Sequence, residues 1–251
     1  MKKISAVIIT FNEEKNIERC LKSLVEIVDE IVVVDSFSSD KTEEICRQYK
    51  VSFIQQQWEG YVKTKNFGNQ LAQNNLIFSI DADEAISPEL QKSILNIKKQ
   101  NIDNQVFEMN RLMNYCGKWI RHGGWYPDAK IRIFDRQFVQ WTGQKVHETL
   151  TIPTDFAVVK LSGNLLHYSY YSVNEHYAQA DKFSTLSAES AFEAGMRVSK
   201  TSIGLHVTWR FIRDFIFKLG FLDGYYGFII SKINAKTTYW KYHKLAKLYQ
   251  K

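Results

Sequence analysis

Three carboxylates fall within four residues at Asp81-Ala82-Asp83-Glu84. They follow the apolar run Leu76-Ile77-Phe78-Ser79-Ile80 and precede a helix-start signature, Ser87-Pro88-Glu89, so they stand at the end of a buried strand. Carboxylates gathered there repel one another and are costly to desolvate. A divalent cation shared with a phosphorylated ligand relieves both costs. The plainer use of the same residues is a solvated strand end with acids at a helix start. Two other polar clusters share that setting, Thr10-Phe11-Asn12-Glu13 and Asp35-Ser36-Phe37-Ser38-Ser39-Asp40, each following a short apolar run.

The elements that must position these clusters alternate. Residues 4–10, 30–35, 51–54 and 76–80 are β-branched-rich runs of strand length. Between them, Ile17, Cys20, Leu21, Leu24 and Ile27 recur at helical spacing, as do Ile45, Cys46 and Tyr49 after an Asp40-x-x-Glu43 start that resembles a capping box. Alternating β and α units predict an α/β fold with a parallel sheet covered on both faces. Ligands of such sheets sit beyond the carboxyl ends of the strands, so the three polar clusters converge on one crevice.

With 251 residues and 45% hydrophobic content, the chain suits one large domain with an appendage: 1–168 as the catalytic body and 169–251 as a helical, basic extension. Cys20, Cys46 and Cys116 are odd in number and widely spaced, which excludes a disulfide framework and predicts a reducing cytosol. Residues 4–9 are too short for a signal peptide. The net charge of +6 is uneven, because residues 196–251 hold eleven Lys or Arg against two acids. The first 195 residues are therefore net acidic, and the tail expects an anionic partner surface. No nucleic-acid motif, repeat or low-complexity tract is present.

The succession Ile8-Ile9-Thr10-Phe11-Asn12-Glu13, Val33-Val34-Asp35-Ser36, Ser39-Asp40-Lys41-Thr42, Lys65-Asn66 and Asp81-Ala82-Asp83-Glu84 resembles the family-2 inverting glycosyltransferases. Gly124-Trp125-Tyr126-Pro127-Asp128, Lys130-Ile131-Arg132-Ile133-Phe134, Val146-His147-Glu148 and Gly220-Phe221-Leu222-Asp223-Gly224 resemble its branch that extends bacterial lipopolysaccharide or lipooligosaccharide cores. The resemblance implies a glycosyltransferase A-type, Rossmann-like nucleotide-diphospho-sugar transferase fold, Mn2+ or Mg2+ as cofactor, and UDP-glucose as donor.

It also implies roles. Asp83 ligates the metal directly, and Asp81 contacts the ribose or a metal-bound water. Thr10, Asn12 and Glu13 face the donor, where a carboxylate accepts from a ribose hydroxyl and Asn12 alternatively caps a helix. Asp35 accepts the imide N–H of uracil, or else serves as a turn aspartate ahead of Ser38-Ser39. Lys65 offsets diphosphate charge and Asn66 bonds the nucleotide, on a helix over 61–73. His147 binds metal or phosphate. Arg132 contacts phosphate or acceptor, since guanidinium does not deprotonate. Inverting transfer needs one carboxylate base. Glu148 is favoured, with Asp128 the alternative. Trp119, Trp125, Tyr126 and Trp141 form a saccharide platform or a packed core.

The pattern predicts a helix over 167–195. A second helix over 205–222 has a broad apolar face and a polar stripe of His206, Arg210, Arg213, Asp214 and Lys218. Charges at that density exclude a membrane span and suit a helix in the headgroup region, unless the face packs on the body. The sequence therefore predicts a cytoplasmic enzyme, peripheral on the inner face of the bacterial cytoplasmic membrane, that moves a sugar from a nucleotide donor to a lipid-linked saccharide. Transfer to a polyprenyl phosphate, or a non-catalytic nucleotide-sugar-binding or membrane scaffold, are the alternatives.

Overall fold

The computed structural model describes the backbone of residues 1–144 and 147–250, with side chains for all of these except Gln144, His147, Lys200 and Thr201. In chain order the elements are β1 (Ile4–Thr10), α1 (Ile17–Leu24), β2 (Glu30–Asp35), α2 (Thr42–Cys46), β3 (Ser52–Gln55), α3 (Tyr61–Leu71), β4 (Leu76–Asp81), β5 (Glu84–Ile86) and α4 (Pro88–Ile97). They continue as β6 (Gln105–Tyr115), β7 (Lys118–Ile120), β8 (Ala129–Asp135), β9 (Gln140–Gln144), β10 (His147–Thr151), β11 (Ala157–Tyr170), α5 (Val173–Glu193), α6 (Lys200–Ile212) and α7 (Gly224–Leu248).

Two compact units emerge, residues 1–111 with 128–167, and residues 112–127 with 168–251. The second thus takes in 112–127, which the sequence reading left with the body. The reason is packing: Tyr115 and Ile120 share a cluster with Ile230, and the Asp223 carboxylate accepts from the backbone N–H of Arg121 and His122.

In the first unit the four expected strands pair in parallel, in the order β3-β2-β1-β4. The sheet continues through β8, β6, β11 and β5, with β4–β8, β8–β6 and β11–β5 antiparallel. All seven residues of β1 are buried, as a central strand covered on both faces requires. Alternate side chains go to opposite faces. Ile4, Ala6 and Ile8 pack with Ile17, Cys20, Leu21 and Leu24 of α1, while Val7 and Ile9 pack with Val34 and Trp141 on the other side. On that second face Gly68 lets α3 lie close, because a Cβ there would stand 2.5 Å from Val7 Cγ1. Lys65, three residues earlier, is carried inward with it.

In the second unit, α5 begins with a capping box between Ser172 and Glu175 and packs on α7. The expected helix over 167–195 begins later, because residues 167–170 belong to β11. The expected helix over 205–222 is also broken. After α6 the chain makes a wide helical turn, Arg213–Phe217, and reverses at Leu219, whose φ is 58°. There Asp214 is buried and accepts from Arg210, Arg213 and Asn234. The predicted outward polar stripe is thus partly turned in upon itself. No helix among the described residues is long and apolar enough to cross a membrane.

Candidate active site

The carboxyl ends of β1, β2 and β4 lie level, since Thr10 pairs with Asp35 and Ile9 with Asp81. Beyond them opens a cavity of about 880 Å³, lined by Thr10, Glu13, Ser36, Asp81, Asp83 and His167 and walled by the aromatics Phe11, Phe37, Trp58 and Tyr61. The hydroxyls of Thr10 and Ser36 are buried and have no hydrogen-bond partner among the described residues. Burial without a partner is costly for a hydroxyl, so a polar ligand would satisfy both.

Asp83 faces this cavity. One of its oxygens, Oδ2, lies 2.8 Å from His167 Nε2. The histidine arrives because β11 runs antiparallel to β5, setting His167 opposite Glu84. Burial pushes the imidazole pKa down, but the hydrogen bond and charge of Asp83 overrule it and raise it. His167 was not singled out from the sequence as a site residue. The available signal was a polar residue ending the apolar pair Leu165-Leu166, the same strand-end placement as Asp81.

Asp81 is held differently. Lys65 Nζ is 3.2 Å from its Oδ1 and Arg132 donates to its Oδ2 at 2.8 Å. Burial raises the Asp81 pKa, yet these two cations overrule it and hold the carboxyl well below the usual range. Arg132 also donates to Glu84 at 2.8 Å, and Glu84 accepts from the Asp81 backbone N–H. Here burial prevails, and the Glu84 carboxyl is raised. Lys65 is no solvated helix lysine. It is buried, lies 3.6 Å from Glu148 Oε1, and sits 4.5 Å from the Trp141 ring centroid.

Behind Asp81 a second cavity of about 480 Å³ is lined by Lys65, Arg132, Trp141, Glu148, Glu108 and Lys130, among others. Asp81 borders both cavities. Asp128 accepts from Arg111 at 2.9 Å and lies 2.9 Å from Lys130 Nζ. Burial raises its pKa, but Lys130 and Arg111 overrule it and lower the value.

Three predicted residues have their side chains engaged by the protein itself. Asp35 is buried, does not line the larger cavity, and accepts both the N–H and the O–H of Ser38, as a turn aspartate does. Asn66 pairs its amide with the backbone of Trp141 in both directions, pinning β9 to α3. Asn12 caps no helix. With φ of 54°, it accepts from the Ser39 N–H and ties the β1 end to the loop after β2. Glu13 remains at the cavity, where burial raises its carboxyl pKa and Asn16 donates to it. The side chain of His147 lies outside the described residues. Of the aromatics, Trp141 lines the second cavity, whereas Trp125 packs with Tyr115 and Tyr170 in the second unit.

A divalent cation fits this chemistry in one form. Among the described residues no group of three or more potential ligands gathers. Asp83, with 27% of its side chain exposed, offers a carboxylate beside an imidazole. That donor set suits Mn2+ or Mg2+ taking its remaining ligands from water and substrate phosphates.

A parallel sheet with an acidic strand-end crevice, extended by antiparallel strands, is a glycosyltransferase A-type fold. The chain belongs to glycosyl transferase family 2, whose model matches residues 5–144, and it is a glycosyltransferase. It is 32% identical to an uncharacterized glycosyltransferase of Rickettsia bellii over 98% of this chain and 87% of that one. It is 30% identical to the lipopolysaccharide core biosynthesis glycosyltransferase LpsC of Rhizobium meliloti over 77% of this chain and 73% of that one. Among solved structures, S. aureus TarS 1-349 in complex with UDP is 15% identical over 99% of this chain and 91% of that one, with a TM-score of 0.47. Glucosyl-3-phosphoglycerate synthase of Mycobacterium tuberculosis, in complex with Mn2+, UDP and glucosyl-3-phosphoglycerate, is 19% identical over 45% and 44%, with a TM-score of 0.38.

Proposed function

We propose that this glycosyltransferase is a metal-dependent inverting enzyme that moves glucose from UDP-glucose to a hydroxyl of a lipid-linked saccharide, such as a lipopolysaccharide core, at the inner face of the bacterial cytoplasmic membrane. The observation that carries the reading is the sharing of Asp81 by two cavities, one with Asp83 and His167, the other with Glu148. Donor and acceptor would meet at that wall. The nucleoside occupies the aromatic-walled cavity, where the unpartnered hydroxyls of Thr10 and Ser36 and the carboxylate of Glu13 meet its polar groups. Asp83 and His167 would hold Mn2+ or Mg2+, which supplies charge neutralisation for the departing diphosphate. Lys65 and Arg132 keep Asp81 ionised and fixed, so that it accepts from a donor hydroxyl without rearranging. Glu148 takes the proton of the attacking hydroxyl.

The acceptor class is supported by likeness to LpsC, and glucose by the sequence resemblance. The test is a thermal-shift screen of UDP, UDP-glucose and other nucleotide sugars with and without Mn2+, followed by transfer assays on lipopolysaccharide-core acceptors. A ligand that binds the native state raises its melting temperature. A shift for UDP-glucose that requires Mn2+ supports the reading. Absence of any nucleotide-dependent shift overturns it and leaves a scaffold role.

A further inference from the structure

The second unit exposes an unusual amount of apolar surface in one continuous stretch. Leu205, Trp209 and Ile212 recur at spacings of four and three along one side of α6, and the first two are 73% and 55% exposed. The stretch continues with Ile216 and Phe217 in the following turn, where the Trp209 and Phe217 ring centroids are 5.6 Å apart. It then runs through Leu222 to Tyr225, which is 69% exposed. A core helix buries such a stripe, so exposure of this size marks a surface that something covers.

Charge selects the occupant. The two acids of residues 196–251, Asp214 and Asp223, are both buried, and Asp214 already holds Arg210 and Arg213. Every exposed charged side chain described in that segment is therefore a lysine or arginine, Lys218, Lys232 and Lys236 among them. A second copy would bring the same positive surface and be repelled. A bilayer span is excluded for every described helix. Exposed Trp, Phe, Leu and Tyr in a segment whose exposed charges are all cationic match the boundary between acyl chains and anionic headgroups.

We propose that the stretch from Leu205 to Tyr225 is a wedge that seats in the headgroup region of an anionic lipid surface, with Trp209, Phe217 and Leu222 as its inserted side chains. This deepens the membrane placement proposed above and rests on none of the catalytic roles.

The test uses the full chain and vesicles of phosphatidylcholine, with or without phosphatidylglycerol. The wild-type protein should co-sediment with the anionic vesicles at least tenfold better than with neutral ones, and salt should weaken that binding. Combined Trp209→Ser, Phe217→Ser and Leu222→Ser changes should cut anionic binding at least tenfold, with circular dichroism and the Mn2+–UDP thermal shift unchanged. That nucleotide shift separates failure of the wedge from failure of the catalytic reading. If the triple variant does not fold, vesicles with brominated acyl chains decide: they should quench wild-type fluorescence, and Trp209→Phe should remove part of that quenching. Equal sedimentation of a folded triple variant, or quenching unaltered by Trp209→Phe, overturns the proposal. So does a lipid-free dimer, seen by sedimentation velocity, that the triple variant abolishes, because the face then belongs to a second copy.

Discussion

His167 Nε2 lies 2.8 Å from Asp83 Oδ2, although 84 residues separate the two in the chain. The pairing of β11 with β5 creates this contact. It joins the acidic strand end of the parallel half of the sheet to a base delivered by its antiparallel half. The hydrogen bond and charge of Asp83 hold the imidazole pKa above its ordinary value. A cation at Asp83 would compete with the imidazole proton.

Opposite pH dependences follow. The folded pKa of His167 is raised, so its contribution to stability is complete below the unfolded value of about 6.5 and is lost as pH rises through the folded value. A cation held by His167 would need the neutral ring, so an increment from Mn2+ with UDP should grow over the same rise. Melting curves from acid to mildly alkaline pH measure both trends. His167→Gln should flatten both and weaken metal-assisted UDP binding by roughly ten- to a hundredfold. A metal increment independent of pH in the wild-type protein would sink the assignment.

Asp83→Asn should remove the Mn2+-dependent part of UDP binding and of transfer. Its side chain is part-exposed at the cavity and supports no core packing. At pH 8 the ligand-free melting temperature should therefore stay near that of wild type. Full transfer by this variant across a Mn2+ titration would end the metal hypothesis.

Arg132 should matter first for stability. Arg132→Met leaves Asp81 and Glu84 close together in a buried site without the guanidinium that both accept from. Breaking a buried pair in this way costs about 3–5 kcal/mol, measurable by urea unfolding. Adding Glu84→Gln should recover part of the loss, since it removes a buried carboxylate that has lost its nearest cation, while Lys65 still pairs with Asp81. A loss under 1 kcal/mol in the single variant, roughly that of a surface pair, would show that the triad is not electrostatically coupled.

His176 gives the second unit an acid-sensitive point. Burial pushes its pKa down to about 4, while its Nδ1 lies 3.0 Å from the Tyr115 hydroxyl. Below about pH 6.5 the unfolded chain takes up a proton that the folded chain refuses, so stability falls on acidification toward pH 4. The loss is on the order of 3 kcal/mol. His176→Gln keeps an acceptor for Tyr115 and should flatten the slope. An unchanged acid limb in that variant would assign the slope to other groups.

The parallel half of the fold was legible because its strands are buried on both faces and read as unbroken β-branched runs, with helical spacing between them. The antiparallel half was not. Residues 167–170 look helical beside the periodic stretch that follows, and only their pairing in β11 makes His167 a strand residue at the site. Asp83 could be read as facing a crevice from its place at the end of one apolar run. Asp35 has the same local signature, yet Ser38 satisfies it, and that choice depends on loop geometry. In the tail the sequence carried the charge imbalance and the apolar face. It did not reveal that Asp214 would draw in Arg210 and Arg213 and leave the apolar side outermost.

The two candidate bases differ in their counter-charges. Asp128 is gripped by Arg111 at 2.8 and 2.9 Å and by Lys130 at 2.9 Å, and its lowered pKa makes it a weak proton acceptor. Glu148 meets Lys65 at 3.6 Å, beyond hydrogen-bond length, and borders the cavity that shares Asp81 with the donor side. Glu148→Gln keeps the shape but removes basicity, so kcat for transfer from UDP-glucose to a lipopolysaccharide-core acceptor should fall by on the order of a hundredfold or more, with UDP binding little changed. Asp128→Asn should instead cost about 1 kcal/mol of stability by loosening a part-exposed ion pair, with a smaller effect on kcat. Steady-state kinetics on both variants, beside urea melts, separate a chemical role from a structural one. If Asp128→Asn loses the hundredfold and Glu148→Gln does not, the base lies within the Arg111 and Lys130 grip, and acceptor binding would have to draw those cations away before the proton could move.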